Sequence, residues 1–102
     1  MTRPLQLLLV EDSQEDAELM IRELRHAGFD PQARRVESEE AFLAALENPP
    51  QIILMDYQLP SFNALRGLTI LREKNLPLPC IIVSGMLDDE TADECVRMGA
   101  SE

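Results

Sequence analysis

Two adjacent acids, Glu11 and Asp12, a third acid, Asp56, and a hydroxyl, Ser84, each follow directly on a run of apolar residues. The runs are Leu5-Gln6-Leu7-Leu8-Leu9-Val10, Ile52-Ile53-Leu54-Met55 and Cys80-Ile81-Ile82-Val83. Carboxylates gathered at one spot repel and force a proton onto one of their number. A Mg²⁺ ion removes that conflict, because it prefers hard oxygen ligands and keeps several waters. A carboxylate beside Mg²⁺ is either a ligand only or also a nucleophile toward phosphorus. Phosphoryl transfer needs positioning and neutralisation of charge on the equatorial oxygens, which Mg²⁺, backbone N–H groups and a hydroxyl supply. Ser84 is a group of that kind. A Lys or Arg for the third oxygen is the usual complement, and no candidate stands at a strand end. The plainer alternative is that each acid is a helix N-cap or turn residue. Asp12 can serve both purposes.

These residues need elements that bring them together. The apolar runs are too short for helices and read as strands buried on both faces. After the first, Ser13 offers an N-cap and Ala17, Met20, Ile21 and Leu24 form one helical stripe, with Leu19 off it. Gly28 stops that helix as its C′ residue, and Phe29 is placed to pack back on the last turn. Pro31 to Val36 is a polar, Arg-bearing strand expected at a sheet edge. Ser38 caps a second helix through Ala41–Leu46, which Asn48-Pro49-Pro50 ends. The strand Ile52–Asp56 follows, closed by Pro60. A third helix after Asn63 carries Ala64, Leu65, Leu68 and Leu71 on one face. Leu76-Pro77-Leu78-Pro79 is an extended connection into the strand Cys80–Ser84. Asp88 and Asp89 cap a fourth helix, with Ala92, Cys95 and Val96 facing inward and Gly99 as its stop. The order β-α-β-α-β-α-β-α with short connections means a mainly parallel sheet covered by helices on both faces. Right-handed crossovers bring all parallel strand ends to one side, so the acids and Ser84 converge.

With 102 residues the chain makes one domain, 1–102, near the lower size at which an open α/β sheet buries a full core. A formal net charge of −10 argues against nucleic acid as a direct partner. It is compatible with a divalent cation or a basic protein face. Cys80 and Cys95 lack metal spacing and read as buried, reduced thiols of a cytosolic protein; with one His and no clustering of ligands, a zinc site is not expected. No signal peptide precedes the first strand and no apolar run spans a bilayer, so the expected location is cytoplasmic, with no membrane partner.

The stretches Leu7-Leu8-Leu9-Val10-Glu11-Asp12, Leu54-Met55-Asp56-Tyr57-Gln58-Leu59-Pro60, Ile81-Ile82-Val83-Ser84-Gly85 and Met98-Gly99-Ala100-Ser101 together resemble the receiver domain of bacterial two-component response regulators. The longer wording around Asp56 and Ser84 is most similar to receivers attached to sensor kinases or cyclic-dinucleotide enzymes. The resemblance implies a flavodoxin-like, doubly wound parallel sheet with strand order 2-1-3-4 and a fifth strand beside the fourth. It implies that Asp56 accepts a phosphoryl group from a histidine kinase or phosphotransfer protein. Glu11, Asp12 and Asp56 hold Mg²⁺ in that picture, with the backbone carbonyl of Gln58 as a further ligand. Ser84 binds the phosphoryl oxygen and passes the change to the fourth helix, toward a partner or an attached output domain. The Gln58 side chain is placed to influence hydrolysis of the phosphoaspartate.

Two departures stand out. Ala64 takes the place where the family usually has Gly, which restricts the loop before the third helix. The family's fifth strand and helix, its switch aromatic and its phosphoryl-pairing Lys are expected beyond Glu102. A chain ending at Glu102 leaves the fourth strand as a bare apolar edge, expected to be unstable or to complete itself by swapping into a homodimer. We therefore read the sequence as part of a longer protein.

Other residues have plain readings. His26 sits at a helix C-terminus, where an imidazole meets the last carbonyls favourably, and is structural rather than a phosphohistidine. Tyr57 is a loop aromatic. Arg34 and Arg35 either guard the sheet edge or form a partner surface, and the sequence does not choose. As a switch, the protein assists its own phosphorylation and is not an enzyme with a separate substrate. A pseudo-receiver that binds partners constitutively is the alternative. A Mg²⁺-dependent phosphohydrolase would want a second acid two residues after Asp56, where Gln58 stands instead.

Overall fold

The computed structural model describes residues 3–57, 59, 63–83, 96, 97 and 100. Four strands, β1 (Arg3–Val10), β2 (Phe29–Val36), β3 (Ile52–Asp56) and β4 (Cys80–Val83), form one sheet in the order β2-β1-β3-β4. All three neighbouring pairs are parallel. The connecting helices are α1 (Gln14–His26), α2 (Glu39–Ala45) and α3 (Ala64–Glu73).

Alternation along the central strands divides the core in two. Leu7 and Leu9 of β1 pack with Ala17, Met20, Ile21 and Leu24 of α1, joined by Ile52 and Leu54 of β3. Leu8 and Val10 point the other way, where Ile53, Met55 and Cys80 meet Phe42 and Ala45 of α2 and Ala64, Leu68, Ile70 and Leu71 of α3. A strand with apolar side chains on both faces can be satisfied only by helices on both faces. That is why Leu8, Leu9, Val10, Ile53 and Met55 are wholly buried. Leu19, off the α1 stripe, is 53% exposed.

Each helix starts where a short polar side chain satisfies a free backbone N–H. The hydroxyl of Ser13 accepts from the N–H of Asp16, that of Ser38 from Ala41, and the amide oxygen of Asn63 from Arg66. Helix α1 stops at Gly28, whose φ of 95° lies in the left-handed region, with its N–H on the Arg25 carbonyl. Helix α3 stops at Asn75, also left-handed at φ 54°. There the Leu76 N–H reaches the Leu71 carbonyl and the Asn75 N–H that of Arg72, the paired bonds of a Schellman stop.

Three sequence readings change. β2 begins at Phe29 rather than Pro31, because β1 starts at Arg3 and the Arg3–Phe29 and Pro4–Asp30 pairs extend the ladder. Pro31 is tolerated inside β2 because that strand is the sheet edge. The buried face of α3 is wider than the stripe read from sequence and includes Gly67 and Ile70. Val96 does not face inward; it is helical but 42% exposed. On a helix, positions 92, 95 and 96 span an arc of about 100°, and Val96 lies at its edge. The remaining readings for the fourth helix, including Ala92, Cys95 and Gly99, lie outside the described residues.

Candidate functional site

Register sets the site. In β1 and β3, Val10 is the partner of Met55, so the next residues, Glu11 just past β1 and Asp56 at the end of β3, come side by side. The ladder toward β2 runs one residue further, with the Glu11 N–H donating to the Val36 carbonyl at 3.0 Å. Asp12 follows at the turn into α1. Carboxylate oxygens of Glu11, Asp12 and Asp56 all lie within 4.8 Å of one another. Glu11 is buried at 3% exposure, Asp56 half-buried and Asp12 exposed. The trio thus runs from a dry floor to an open rim, and the half-buried acid lies between.

The capping alternative is decided differently for each acid. Ser13, not Asp12, is the N-cap of α1, and Asn63, seven positions after Asp56, is the N-cap of α3. Asp56 closes β3 and caps no described helix. Glu11 does carry a local structural bond, since its carboxylate accepts the N–H of Ser13 at 3.1 Å.

Burial pushes the Glu11 carboxyl above its ordinary range. The Ser13 N–H pulls in the opposite direction, while a hydrogen bond with the Asp12 carboxyl and the charges of Asp56 and Asp12 push upward again. A proton held among converging carboxylates is the conflict anticipated from sequence. Hard-oxygen donors at this spacing fit Mg²⁺, whose octahedral shell at about 2.0–2.1 Å puts neighbouring oxygens ~3 Å and opposite ones ~4 Å apart. A small inward movement of the side chains suffices.

The remaining predicted site residues are placed only by their neighbours. Val83 is the partner of Asp56 across β3 and β4, and Ser84 is the next residue in the chain. Ser84 itself and Gln58 lie outside the described residues. The loop carrying Gln58 is closed by a bond from the Ala64 N–H to the Tyr57 carbonyl at 2.9 Å. Ala64 is fully buried against the α2–α3 core, so its methyl group has a packing role. His26 is exposed in the last turn of α1.

Arg34 and Arg35, left open by the sequence, are both turned onto their own fold. Arg34 donates to the carbonyls of Ala45 and Asn48 at the C-terminal end of α2, which has no basic residue of its own in its last turn. Arg35 donates to the Glu11 carbonyl at 3.1 Å and pairs with Glu37. Its nearness to the acids was invisible from composition. It follows from the register, in which Arg35 is the partner of Leu9, two residues before Glu11.

The family model for the response regulator receiver domain matches residues 7–102. The chain belongs to that family. Among curated relatives, the protein-glutamate methylesterase/protein-glutamine glutaminase of Gluconobacter oxydans is 32% identical across 98% of this chain and 29% of its own length. The transcriptional regulatory protein DpiA of Escherichia coli is 32% identical across 97% of this chain and 44% of its own length. The chain thus spans less than half of either relative. The receiver domain of a Francisella response regulator superposes with a TM-score of 0.80 at 23% identity, covering 96% of this chain and 80% of that one. That likeness carries the fold, and the order β2-β1-β3-β4 is the receiver arrangement. Among the described residues no helix of this receiver domain is long and apolar enough to cross a membrane.

Proposed function

We propose that this receiver domain is a phosphorylation switch in which Asp56 takes a phosphoryl group from a histidine kinase or phosphotransfer protein. The observation that carries the reading is the convergence of Glu11, Asp12 and Asp56 within 4.8 Å at the carboxyl ends of β1 and β3. Of the three, Asp56 suits the nucleophile: its pairing with Val83 at the end of β3 holds it, and it is half-buried, so part of it is open to a donor. One of its carboxylate oxygens attacks phosphorus while the bond from phosphorus to the donor imidazole breaks. The imidazole leaves with the bonding electron pair, and the product is an acyl phosphate on Asp56.

Glu11, Asp12, Asp56 and the backbone carbonyl of Gln58 would hold Mg²⁺. When bound, the ion offsets the charge of the acids and of the incoming phosphoryl oxygens. Ser84, directly after the β4 residue that partners Asp56, binds a phosphoryl oxygen and passes the change toward the fourth helix. The output is a partner protein or an attached domain, and the module acts on no separate substrate. The net charge of −10 disfavours direct contact with nucleic acid.

Incubation with Mg²⁺ and acetyl phosphate, followed by intact-mass measurement, tests the reading. A lasting adduct is expected on the parent and none on Asp56→Asn. No adduct on the parent would point to a constitutive binding module, and rapid turnover of the donor without an adduct to a phosphohydrolase.

A further inference from the structure

Resting on the Mg²⁺ site proposed above, we infer that Arg35 is a positioning residue for that site, acting through the peptide that joins Glu11 to Asp12. Two of the three acids hang from this single peptide. Its upstream side is fixed by the Glu11 N–H on the Val36 carbonyl at 3.0 Å. Its carbonyl receives the Arg35 guanidinium, Nη1 to oxygen, at 3.1 Å. Because a peptide unit is planar, fixing the Glu11 carbonyl also fixes the nitrogen and Cα of Asp12. The Asp12 carboxylate is exposed, and its hydrogen bond to Glu11 joins two side chains that flank this same peptide, so the plane of the peptide governs how both stand toward Asp56. Metal sites tolerate misplacement of only about 0.5 Å or 10–20°.

The same Nη1 also donates to the Glu37 carboxylate at 3.2 Å. Glu37 holds the guanidinium over the carbonyl and offsets its charge, so that it does not oppose a second cation nearby. The Arg35–Glu37 pair is itself 36% and 59% exposed at its two side chains and adds little to stability. The consequence of losing Arg35 therefore belongs in the site rather than in the melting temperature.

Geometry and charge predict opposite signs here. Removal of a cation from the backbone carbonyl of Glu11 tightens Mg²⁺ binding if charge alone matters; loss of positioning weakens it. Calorimetric titration of the parent and Arg35→Ala with Mg²⁺, at low and high salt and alongside thermal melts, separates the two. Roughly tenfold weaker binding by the variant is expected, the low end of losses for groups that orient metal ligands. The ratio should persist at high salt, where a charge effect would be screened. Equal or tighter binding, or a loss that vanishes at high salt, overturns the inference. If Arg35→Ala fails to fold, Arg35→Gln, whose amide is too short to reach the carbonyl in the same way, is expected to show the same loss. A parent that binds no Mg²⁺ contradicts the site itself, whereas equal binding by parent and variant contradicts the role of Arg35 alone.

Discussion

Glu11 sets this trio apart from a gathering of surface acids. It is the buried member of the trio, and burial together with its acidic neighbours raises its pKa. A carboxyl whose pKa is raised in the folded state binds its proton more tightly there than in the unfolded chain. Its contribution to stability therefore falls as pH rises through the window from its ordinary value to its raised one, and the full penalty applies above. Without Mg²⁺, Glu11→Gln should be more stable than the parent at neutral pH, seen as a higher Tm. The gap should shrink as pH falls through that window. Added Mg²⁺ should stabilise the parent, by about 2.7 kcal/mol at a hundredfold excess over Kd, and the variant far less. Melting curves across pH, with Mg²⁺ or EDTA, check both signs. The three acids were legible in the sequence because the pair Glu11-Asp12 and the single Asp56 each directly follow an apolar run. Arg35 was not, because its relation to Glu11 exists only in the register between β1 and β2.

At the scale of elements, the local signals were strong at helix starts and uneven at helix ends. Ser13 and Ser38 announced α1 and α2, and both side chains make the expected cap bonds. Gly28 announced the end of α1. An added Cβ there would meet nothing within 4 Å, so space is not what requires glycine. The requirement is its φ of 95°. Gly28→Ala should therefore cost about 1 kcal/mol, read by chemical denaturation, through backbone strain alone. A neutral outcome would mean that the turn relaxes to another conformation. Asn75 performs the same service for α3, yet the sequence reading passed over it, since Asn is a weaker mark of the left-handed region than Gly. The start of β2 was misplaced because Pro31 looks like a strand's first residue, whereas on an edge strand Pro can sit inside the ladder.

For the whole molecule, unbroken apolar runs were the most informative signal. They required helices on both faces, hence a parallel sheet, hence strand ends gathered on one side. The sheet order and the two core clusters answer to that chain of reasoning, and so does the meeting of Glu11 and Asp12 with Asp56, 44 positions beyond the nearer of them. The central claim is that this meeting arms Asp56, in particular, for phosphoryl transfer. Its most direct test is to treat the protein with acetyl phosphate, with Mg²⁺ or with EDTA, and to locate the adduct by peptide mass spectrometry. The account predicts a phosphoryl group on the peptide containing Asp56, formed with Mg²⁺ and lost with EDTA. An adduct on a different residue, or equal labelling of Asp56 without the metal, would contradict it.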